Sequence, residues 1–312
     1  MAKKKKESME LRVYEVPQGH TVLTLYGDAW VRTYGHEQSN LHFHNLCEIG
    51  ICRYGRGLLK TPDEEIEYSD GTIALFPANF PHTTFSYGKD DNFWEYLFFD
   101  PKVIVNELYA DSPVYSKEVV DVLNNNYLIV NERDYPDFAE LINAVIKEAR
   151  QKKKFHHIVQ NHYMRILIVE MMRMHEDVPY YADGPAKTAN ASQISAAIEY
   201  ILDHIAEPIK AVDLANACSL SETHFRRIFD DYVDMSPMDY VNLCRIQKAC
   251  EIMKKSEEPM DIVAEKCGFS GTSTFTRNFK KFLGITPYQW KIAPENYEAK
   301  LQKYRISPKQ GW

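Results

Sequence analysis

Three histidines and a glutamate in the first third of the chain have side chains of the types that bind a transition metal. His42, His44 and Glu48 lie close together, and His82 follows later in the chain. If residues 42–48 form one strand, the first three side chains point to the same face, because side chains alternate along a strand. Imidazole nitrogens and carboxylate oxygens are common ligands of divalent transition metals. The four residues are therefore a predicted metal or ligand site.

A second group of side chains could contact nucleic acid, and it lies in a repeated sequence. The first copy reads Phe225-Arg226-Arg227-Ile228-Phe229, followed by Ser236-Pro237 and Tyr240. The second copy, 50 residues later, reads Phe275-Thr276-Arg277-Asn278-Phe279, followed by Thr286-Pro287 and Trp290. Such a repeat indicates two copies of one small helical unit.

The elements that must position these side chains follow from the apolar periodicity. In each copy, a short helix, a tight turn and a second helix with an exposed polar face predict a helix-turn-helix unit. The predicted helices are 192–206, 211–217, 222–232, 238–254, 260–267 and 272–283. Phe225, Ile228 and Phe229 have the spacing of a buried helix face. We expect Ser221 to cap the helix that follows it.

The charge is unevenly distributed between the two copies. The whole chain has a net charge of −7, which by itself disfavours nucleic acid binding. Between Lys266 and Pro294, however, no acidic residue occurs, and five basic residues do: Lys266, Arg277, Lys280, Lys281 and Lys291. In the first copy, Glu222, Asp230 and Asp231 offset the arginines. We therefore predict that the second unit binds DNA more tightly.

Short apolar and β-branched runs between turn signals dominate the N-terminal part and predict a β-sandwich or barrel. The predicted strands are 21–26, 48–52, 57–60, 72–76 and 94–99. From Pro136 the apolar period becomes helical, with one helix after Pro136 and a second over 155–174. The apolar face of the second helix is predicted to contain Ile158, Val159, Tyr163, Ile166, Leu167 and Met171. Such faces pack on the barrel, form a dimer interface, or do both.

These elements predict an α+β multidomain protein with the following organisation. A β-barrel domain occupies 1–135, a helical arm with a face suited to dimerisation 136–177, a linker 178–191, an all-helical domain with two helix-turn-helix units 192–293 and a tail 294–312. No apolar run is long enough to span a bilayer, and the six cysteines form no Cys-x-x-Cys pair. We therefore expect a cytoplasmic protein without membrane contact.

The C-terminal hundred residues resemble the AraC/XylS family of transcriptional regulators. The motifs that carry the resemblance are Ala264-Glu265-Lys266-Cys267-Gly268-Phe269-Ser270, the segment from Phe275 to Lys281, Gly284-Ile285-Thr286-Pro287 with Trp290, and Arg245-Ile246-Gln247-Lys248-Ala249. The His42 and His82 segments are similar to the two metal motifs of the cupin (jelly-roll) superfamily, with Gly35 displaced by one residue and Asn79 in place of a glycine. Many AraC-type regulators have a cupin-like sensor domain.

The resemblance implies a ligand-responsive transcription factor that binds double-stranded DNA, acts as a homodimer and, if it is an activator, contacts RNA polymerase. It places the base contacts on Thr223, Arg226, Arg227, Thr272, Ser273, Thr276 and Arg277, and the phosphate contacts on Ser221, Ser236 and Lys280. We also expect φ > 0 at Ser219, where the family usually has glycine, and at Asp234, where the second copy has Gly284. The expected effector is a carbohydrate or related metabolite, and no cofactor is required. The alternative is a metal sensor or metalloenzyme that uses His42, His44, Glu48 and His82 as ligands.

Overall fold

The computed structural model describes residues 10–177, except 13, 15, 18, 36–40, 62–63 and 126, and residues 189–292, except 234. The described residues fall into two compact units, one within Leu11–Ala186 and the other within Lys187–Arg305. Residues 178–188, which make up most of the predicted linker, and the predicted tail 294–312 lie outside the described residues.

The N-terminal unit is a β-sandwich followed by helices. Its strands are β1 Glu10–Arg12, β2 Val22–Leu25, β3 Val31–Arg32, β4 His42–His44, β5 Cys47–Tyr54, β6 Gly57–Lys60, β7 Glu65–Tyr68, β8 Thr72–Phe76, β9 Thr83–Ser86, β10 Asn92–Phe99 and β11 Leu128–Asn131. Its helices are α1 Pro101–Leu108, α2 Pro113–Asn125, α3 Pro136–Gln151 and α4 His156–Asp177. The larger sheet has the order β11-β8-β5-β10-β2 with β3 also paired to β10, and the smaller sheets are β7-β6-β9 and β1-β4.

Both faces of the larger sheet are buried. On β10, Trp94, Tyr96 and Phe98 face the sandwich interior, whereas Leu97 and Phe99 belong to the core shared with the helices. This division follows from the alternation of side chains along a strand. Strands buried on both faces have nearly continuous apolar sequences, which is why β10 and β8 were readily predicted.

Helices α3 and α4 pack on the larger sheet, and their buried residues share one core with its strands. Predictions for the second helix were partly wrong about which face is buried. Leu167 is buried and Tyr163 partly so, but Ile158, Val159 and Ile166 are exposed, and Met164 and Ile168 are buried instead. The apolar spacing predicted one stripe, but this helix has a second apolar stripe. Which stripe is buried depends on contact with the sheet, which the spacing does not reveal.

The C-terminal unit is all-helical. Its helices are α5 Ala189–Asp203, α6 Ala211–Ala217, α7 Glu222–Val233, α8 Pro237–Lys255, α9 Met260–Lys266, α10 Thr272–Leu283 and α11 Pro287–Ile292. The prediction for the first helix was shifted, because α5 begins three residues earlier than position 192. The other predicted helices lie within two residues of the observed bounds. Phe275, Phe279, Leu283 and Trp290 form a core with α8 and α9, and Phe225 and Phe229 occupy the equivalent positions of the first copy.

Candidate effector site and DNA interface

Backbone pairing brings together the four predicted ligand residues. The prediction of one continuous strand over 42–48 was wrong, because the chain bends at Asn45 and Leu46, and Glu48 lies on β5 rather than β4. His82 precedes β9 and pairs with His42 through two backbone hydrogen bonds of 3.0 and 2.9 Å. All four side chains are buried, and one ligand atom from each lies within 4.8 Å of the others.

Backbone carbonyls orient two of the imidazoles. The Nδ1 atom of His44 lies 2.6 Å from the Leu46 carbonyl oxygen, and Nδ1 of His82 lies 2.9 Å from the Phe80 carbonyl oxygen. A carbonyl can only accept a hydrogen bond, so each Nδ1 is the protonated nitrogen. Each Nε2 then faces Glu48 Oε2, at 2.9 Å from His44 and 3.5 Å from His82. A tethered Nδ1 of this kind is the usual support of a metal-binding histidine.

The charges of these groups favour a cation at the centre of the cluster. Burial lowers the pKa of His44 in spite of its hydrogen bond to Glu48, so the neutral imidazole is favoured. Burial alone raises the pKa of Glu48, but the neighbouring His82 and His44 lower it to about 2. The 2.9 Å contact between His44 Nε2 and Glu48 Oε2 contains a proton when the ring is charged, and a metal ion bound to both atoms would replace that proton. Ligand atoms around a tetrahedral metal with bonds of about 2.1 Å lie about 3.4 Å apart. The distances of 2.9 and 3.5 Å from Glu48 Oε2 to the two imidazoles are close to this value, and the four ligand atoms lie within 4.8 Å of one another.

Aromatic side chains fill the sandwich interior around this cluster. The ring of Phe76 stacks on His82 with a centroid distance of 3.9 Å, and the ring of Tyr14 meets His44 edge-on at 5.7 Å. The buried aromatic side chains of the N-terminal unit include six that could otherwise stack on a sugar ring: Trp30, Tyr34, Phe43, Phe76, Trp94 and Tyr96. Phe85 is half-buried and Tyr87 exposed. These six side chains are therefore core residues.

The two helix-turn-helix units have the same turn. In both, a backbone amide after the turn donates to a carbonyl of the preceding helix: Leu220 to Ala215 and Phe269 to Ala264, at 2.9 and 3.0 Å. The first turn has Ser219 at φ 56° and the second has Gly268 at φ 77°. The prediction of φ > 0 at Ser219 is thus confirmed, and Asp234 lies outside the described residues.

The second helix of each unit has a buried and an exposed face. Phe225, Ile228 and Phe229 are buried in α7, and Phe275 and Phe279 in α10. The predicted base-contacting residues are exposed at Thr223, Arg226, Arg227, Thr272, Ser273 and Arg277, and half-buried at Thr276. Lys280, a predicted phosphate contact, is also exposed. Buried Asn278 was not predicted, and its side-chain amide donates to the Thr274 carbonyl.

The exposed arginines of the two units differ in whether they form an ion pair. Arg226 forms an ion pair with Glu222 at 2.7 Å. Arg227 and Arg277, which are equivalent in the repeat, form no hydrogen bond or ion pair with another described residue. Ser221 and Ser236 accept hydrogen bonds from the amides of His224 and Asp239 at 3.4 and 3.2 Å, so both act as helix caps. Their hydroxyl protons remain able to donate.

A barrel-like domain with a convergent ligand cluster, together with two helix-turn-helix units, defines a DNA-binding transcription regulator with a ligand-binding domain. Residues 31–167 match the family described as "AraC-like ligand binding domain", and residues 214–292 match the family described as "Helix-turn-helix domain". The chain belongs to the AraC family of transcriptional regulators.

Similar proteins include regulators from several bacteria. The probable transcriptional regulator LumQ of Photobacterium leiognathi is 22% identical over 251 residues, which are 80% of this chain and 91% of LumQ. The transcriptional activator RhaR of Mannheimia succiniciproducens is 21% identical over 252 residues, 80% of this chain and 86% of RhaR. The crystal structure of ToxT from Vibrio cholerae matches with a TM-score of 0.40 and 15% identity, covering 87% of this chain and 97% of ToxT. No helix among the described residues could cross a membrane.

Proposed function

We propose that the exposed faces of α7 and α10 read DNA bases in two successive major grooves. Thr223, Arg226 and Arg227 would contact bases from the first unit, and Thr272, Ser273, Thr276 and Arg277 from the second. The observation that carries the proposal is the pair Arg227 and Arg277, which are equivalent, exposed and without a hydrogen-bond or ion-pair partner among the described residues. A guanidinium can bind guanine through two hydrogen bonds. Lys280, Ser221 and Ser236 would contact phosphates.

The test uses the full-length protein and duplexes selected by it from a random pool. Arg277→Ala should weaken binding to the selected duplex by about 1–3 kcal/mol and relax the base preference at one position. Lys280→Ala should weaken binding to all duplexes alike. It should also lower the slope of log K against log salt concentration by about one, because one fewer phosphate is neutralised. Lys117→Ala removes an exposed charge in the other unit and is the matched control. An Arg277→Ala variant with unchanged preference would refute the base-reading role.

We further propose that the second unit binds more tightly than the first. Three acidic residues of the first unit, Glu222, Asp230 and Asp231, stand where the second has Thr272, Lys280 and Lys281. Because Glu222 holds Arg226, the first unit must break an ion pair before Arg226 can contact DNA. A footprint should therefore show stronger protection over the half-site of the second unit. Glu222→Gln should strengthen protection over the other half-site, and stronger protection there in the unmodified protein would contradict the proposal.

The N-terminal unit would control this binding. We propose that it binds a small-molecule effector, a carbohydrate or related metabolite, and that the protein regulates transcription in the cytoplasm without catalysing a reaction. Ligand would act through different affinities for two arrangements of the DNA-binding units. The exposed apolar residues of α4, Ile158, Val159 and Ile166, support a homodimer formed through the arm. Such a face is otherwise costly to leave in water.

A metal-sensing role is the second candidate, because His42, His44, Glu48 and His82 converge with their ligand atoms oriented. The test is elemental analysis of the purified protein, combined with a His44→Ala, His82→Ala double variant. Bound metal in the wild type, its loss in the variant and a change in DNA affinity would support a metal sensor. Absence of metal, or metal whose loss leaves DNA affinity unchanged, would refute it. In that case, the histidines line a pocket or stabilise the barrel.

A further inference from the structure

An open cleft of about 470 Å³ lies at the end of the sandwich opposite the His–Glu cluster. On β5 and β8, Glu48 pairs with Phe76 at the cluster end of the two strands. The cleft lies beyond their other ends, where Gly55 follows β5 and Asp70 precedes β8. A separation of seven residues along a strand corresponds to about 23 Å. The cleft is therefore distinct from the histidine cluster.

Hydrogen bonds between consecutive turns build the walls of this cleft. The Gly55 amide donates to Asp70 Oδ1 at 2.7 Å, and the Asn131 side-chain amide donates to the Asp70 carbonyl oxygen at 3.1 Å. The Arg133 amide in turn donates to Asn131 Oδ1 at 3.1 Å. Three separate segments are thus tied together before any ligand is present. Preorganisation of this kind lowers the entropic cost of binding.

A close contact between the Gly55 backbone and Asn92 also fixes the shape of the cleft. Its φ is 119°, and a Cβ atom there would lie 1.7 Å from the side-chain oxygen of Asn92. Asn92 is fully buried, and its amide nitrogen also donates to the Asp90 carbonyl oxygen at 3.0 Å. The loop that carries Asp90 is therefore anchored beside the loop that carries Arg56. The cleft is a fixed feature of four turns rather than an accidental gap.

The charges that line the cleft indicate the ligand class. Arg56 and Arg133 are exposed and form no side-chain hydrogen bond or ion pair with another described residue, so both guanidinium groups are available. Guanidinium groups bind carboxylates and phosphates through paired hydrogen bonds. Asp70 and Asp90 are acceptors suited to hydroxyl groups, because an ionised carboxylate only accepts hydrogen bonds. An apolar molecule matches neither pair, and a purely cationic molecule would be repelled by both guanidinium groups.

We propose that this cleft binds a small, polyhydroxylated anion, namely a sugar acid or a sugar phosphate. Arg56 and Arg133 hold the anionic group, and Asp70 and Asp90 accept hydrogen bonds from the hydroxyl groups. The volume is within the range of small-molecule sites. The inference rests on the proposed function, since the molecule bound here is then the effector. It also moves the effector site away from the sandwich interior, which aromatic side chains fill.

The test is a thermal-shift assay on the full-length protein with gluconate, glucose 6-phosphate and other sugar acids and phosphates, each beside its neutral parent sugar. At least one anionic member should raise the melting temperature, and its neutral parent should not. The Arg56→Gln, Arg133→Gln double variant should lose the shift. Arg173→Gln, the same type of substitution at an exposed arginine on α4, should keep it. Both Arg56 and Arg133 are exposed, so the double variant should melt like the wild type without ligand.

Each other outcome overturns a defined part of the proposal. A shift that the double variant retains places the site elsewhere, and an equal shift with neutral sugars refutes the anionic class. No shift with any anionic member refutes the site. Binding to the selected duplex, measured without ligand in the same preparations, tests the proposed DNA reading separately. Intact DNA binding with no shift would leave the DNA-reading proposal standing and this one refuted.

Discussion

Arg245 on α8 should fix how the two helix-turn-helix units are held together. Its side chain is only 7% exposed, and it donates to the carbonyl oxygens of Ile205 at 3.0 Å and Glu207 at 2.6 Å, just beyond α5. Its guanidinium group also lies 5.8 Å from the ring centroid of Phe269, in the turn of the second unit. One side chain therefore joins the first helix of this domain to the second unit.

The substitution Arg245→Met retains most of the volume and removes both donors. A hydrogen bond to a charged group contributes about 1.5–3 kcal/mol, so the loss of two should destabilise the C-terminal unit by about 3 kcal/mol or more. The measurement is urea unfolding of the full chain followed by helical circular dichroism. Lys248→Met, on the same helix with a half-buried side chain, is the matched control and should cost far less.

Loss of this link should also alter DNA binding in a specific way. Two units held rigidly gain from the high effective concentration of the second unit once the first has bound. Arg245→Met should thus weaken binding to a duplex with both half-sites by about tenfold, equivalent to about 1.4 kcal/mol. Binding to a duplex with one half-site should change little. Equal losses on both duplexes in a folded variant would refute the linking role and indicate general damage.

Three further predictions concern stability, cysteine chemistry and assembly. Ser219→Gly should raise the free energy of unfolding by about 1 kcal/mol, because Ser219 has φ 56°, which glycine adopts without strain. Ser219→Ala keeps a Cβ atom and should not raise it. A lower urea midpoint for the glycine variant would contradict this prediction. Burial raises the pKa of the Cys218 and Cys267 thiols to about 11, so iodoacetamide at pH 8 should label them slowly in the native protein and readily in urea, as mass spectrometry would show. Only the thiolate form reacts with iodoacetamide, and the raised pKa keeps the thiolate fraction small until the pH approaches 11. Ile166→Asp on the exposed face of α4 should convert a dimer to a monomer in sedimentation. Val114→Asp, at a position on α2 that is 75% exposed, should leave the dimer intact. An unchanged dimer in the Ile166→Asp variant would show that this face of α4 is not the dimer interface.

The sequence predicted the DNA-binding half well because its signals are local. The repeat and the buried positions of Phe225 and Phe275 depend on short-range spacing, whereas the left-handed turn at Ser219 was expected from the family resemblance. Helix bounds were correct to within a few residues for the same reason. The ion pair between Glu222 and Arg226 has helical i, i+4 spacing and could have been predicted from it.

The sequence was less informative where distant segments meet. Strands β1, β3, β7 and β9 were not predicted, because each has at most four residues and only one or two of them are apolar. The sequence from Pro101 to Val130 shows no clear helical or strand period, and it forms α1, α2 and most of β11. Helix α4 has two apolar stripes, and the one that contains Met164 and Ile168 packs in the core with the larger sheet. Amphipathicity alone cannot make that choice.

By itself, the sequence determined the repeated helical units, the class of the N-terminal fold and the identity of the four residues His42, His44, Glu48 and His82. Residue types and short spacings contain that information. Only the tertiary structure decided that Glu48 reaches the histidines from a different strand, that the Leu46 and Phe80 carbonyls orient two of the rings, and that Arg56 and Arg133 share a cleft. These relations join residues far apart in the chain, and strand pairing and turn packing alone bring them within hydrogen-bonding distance.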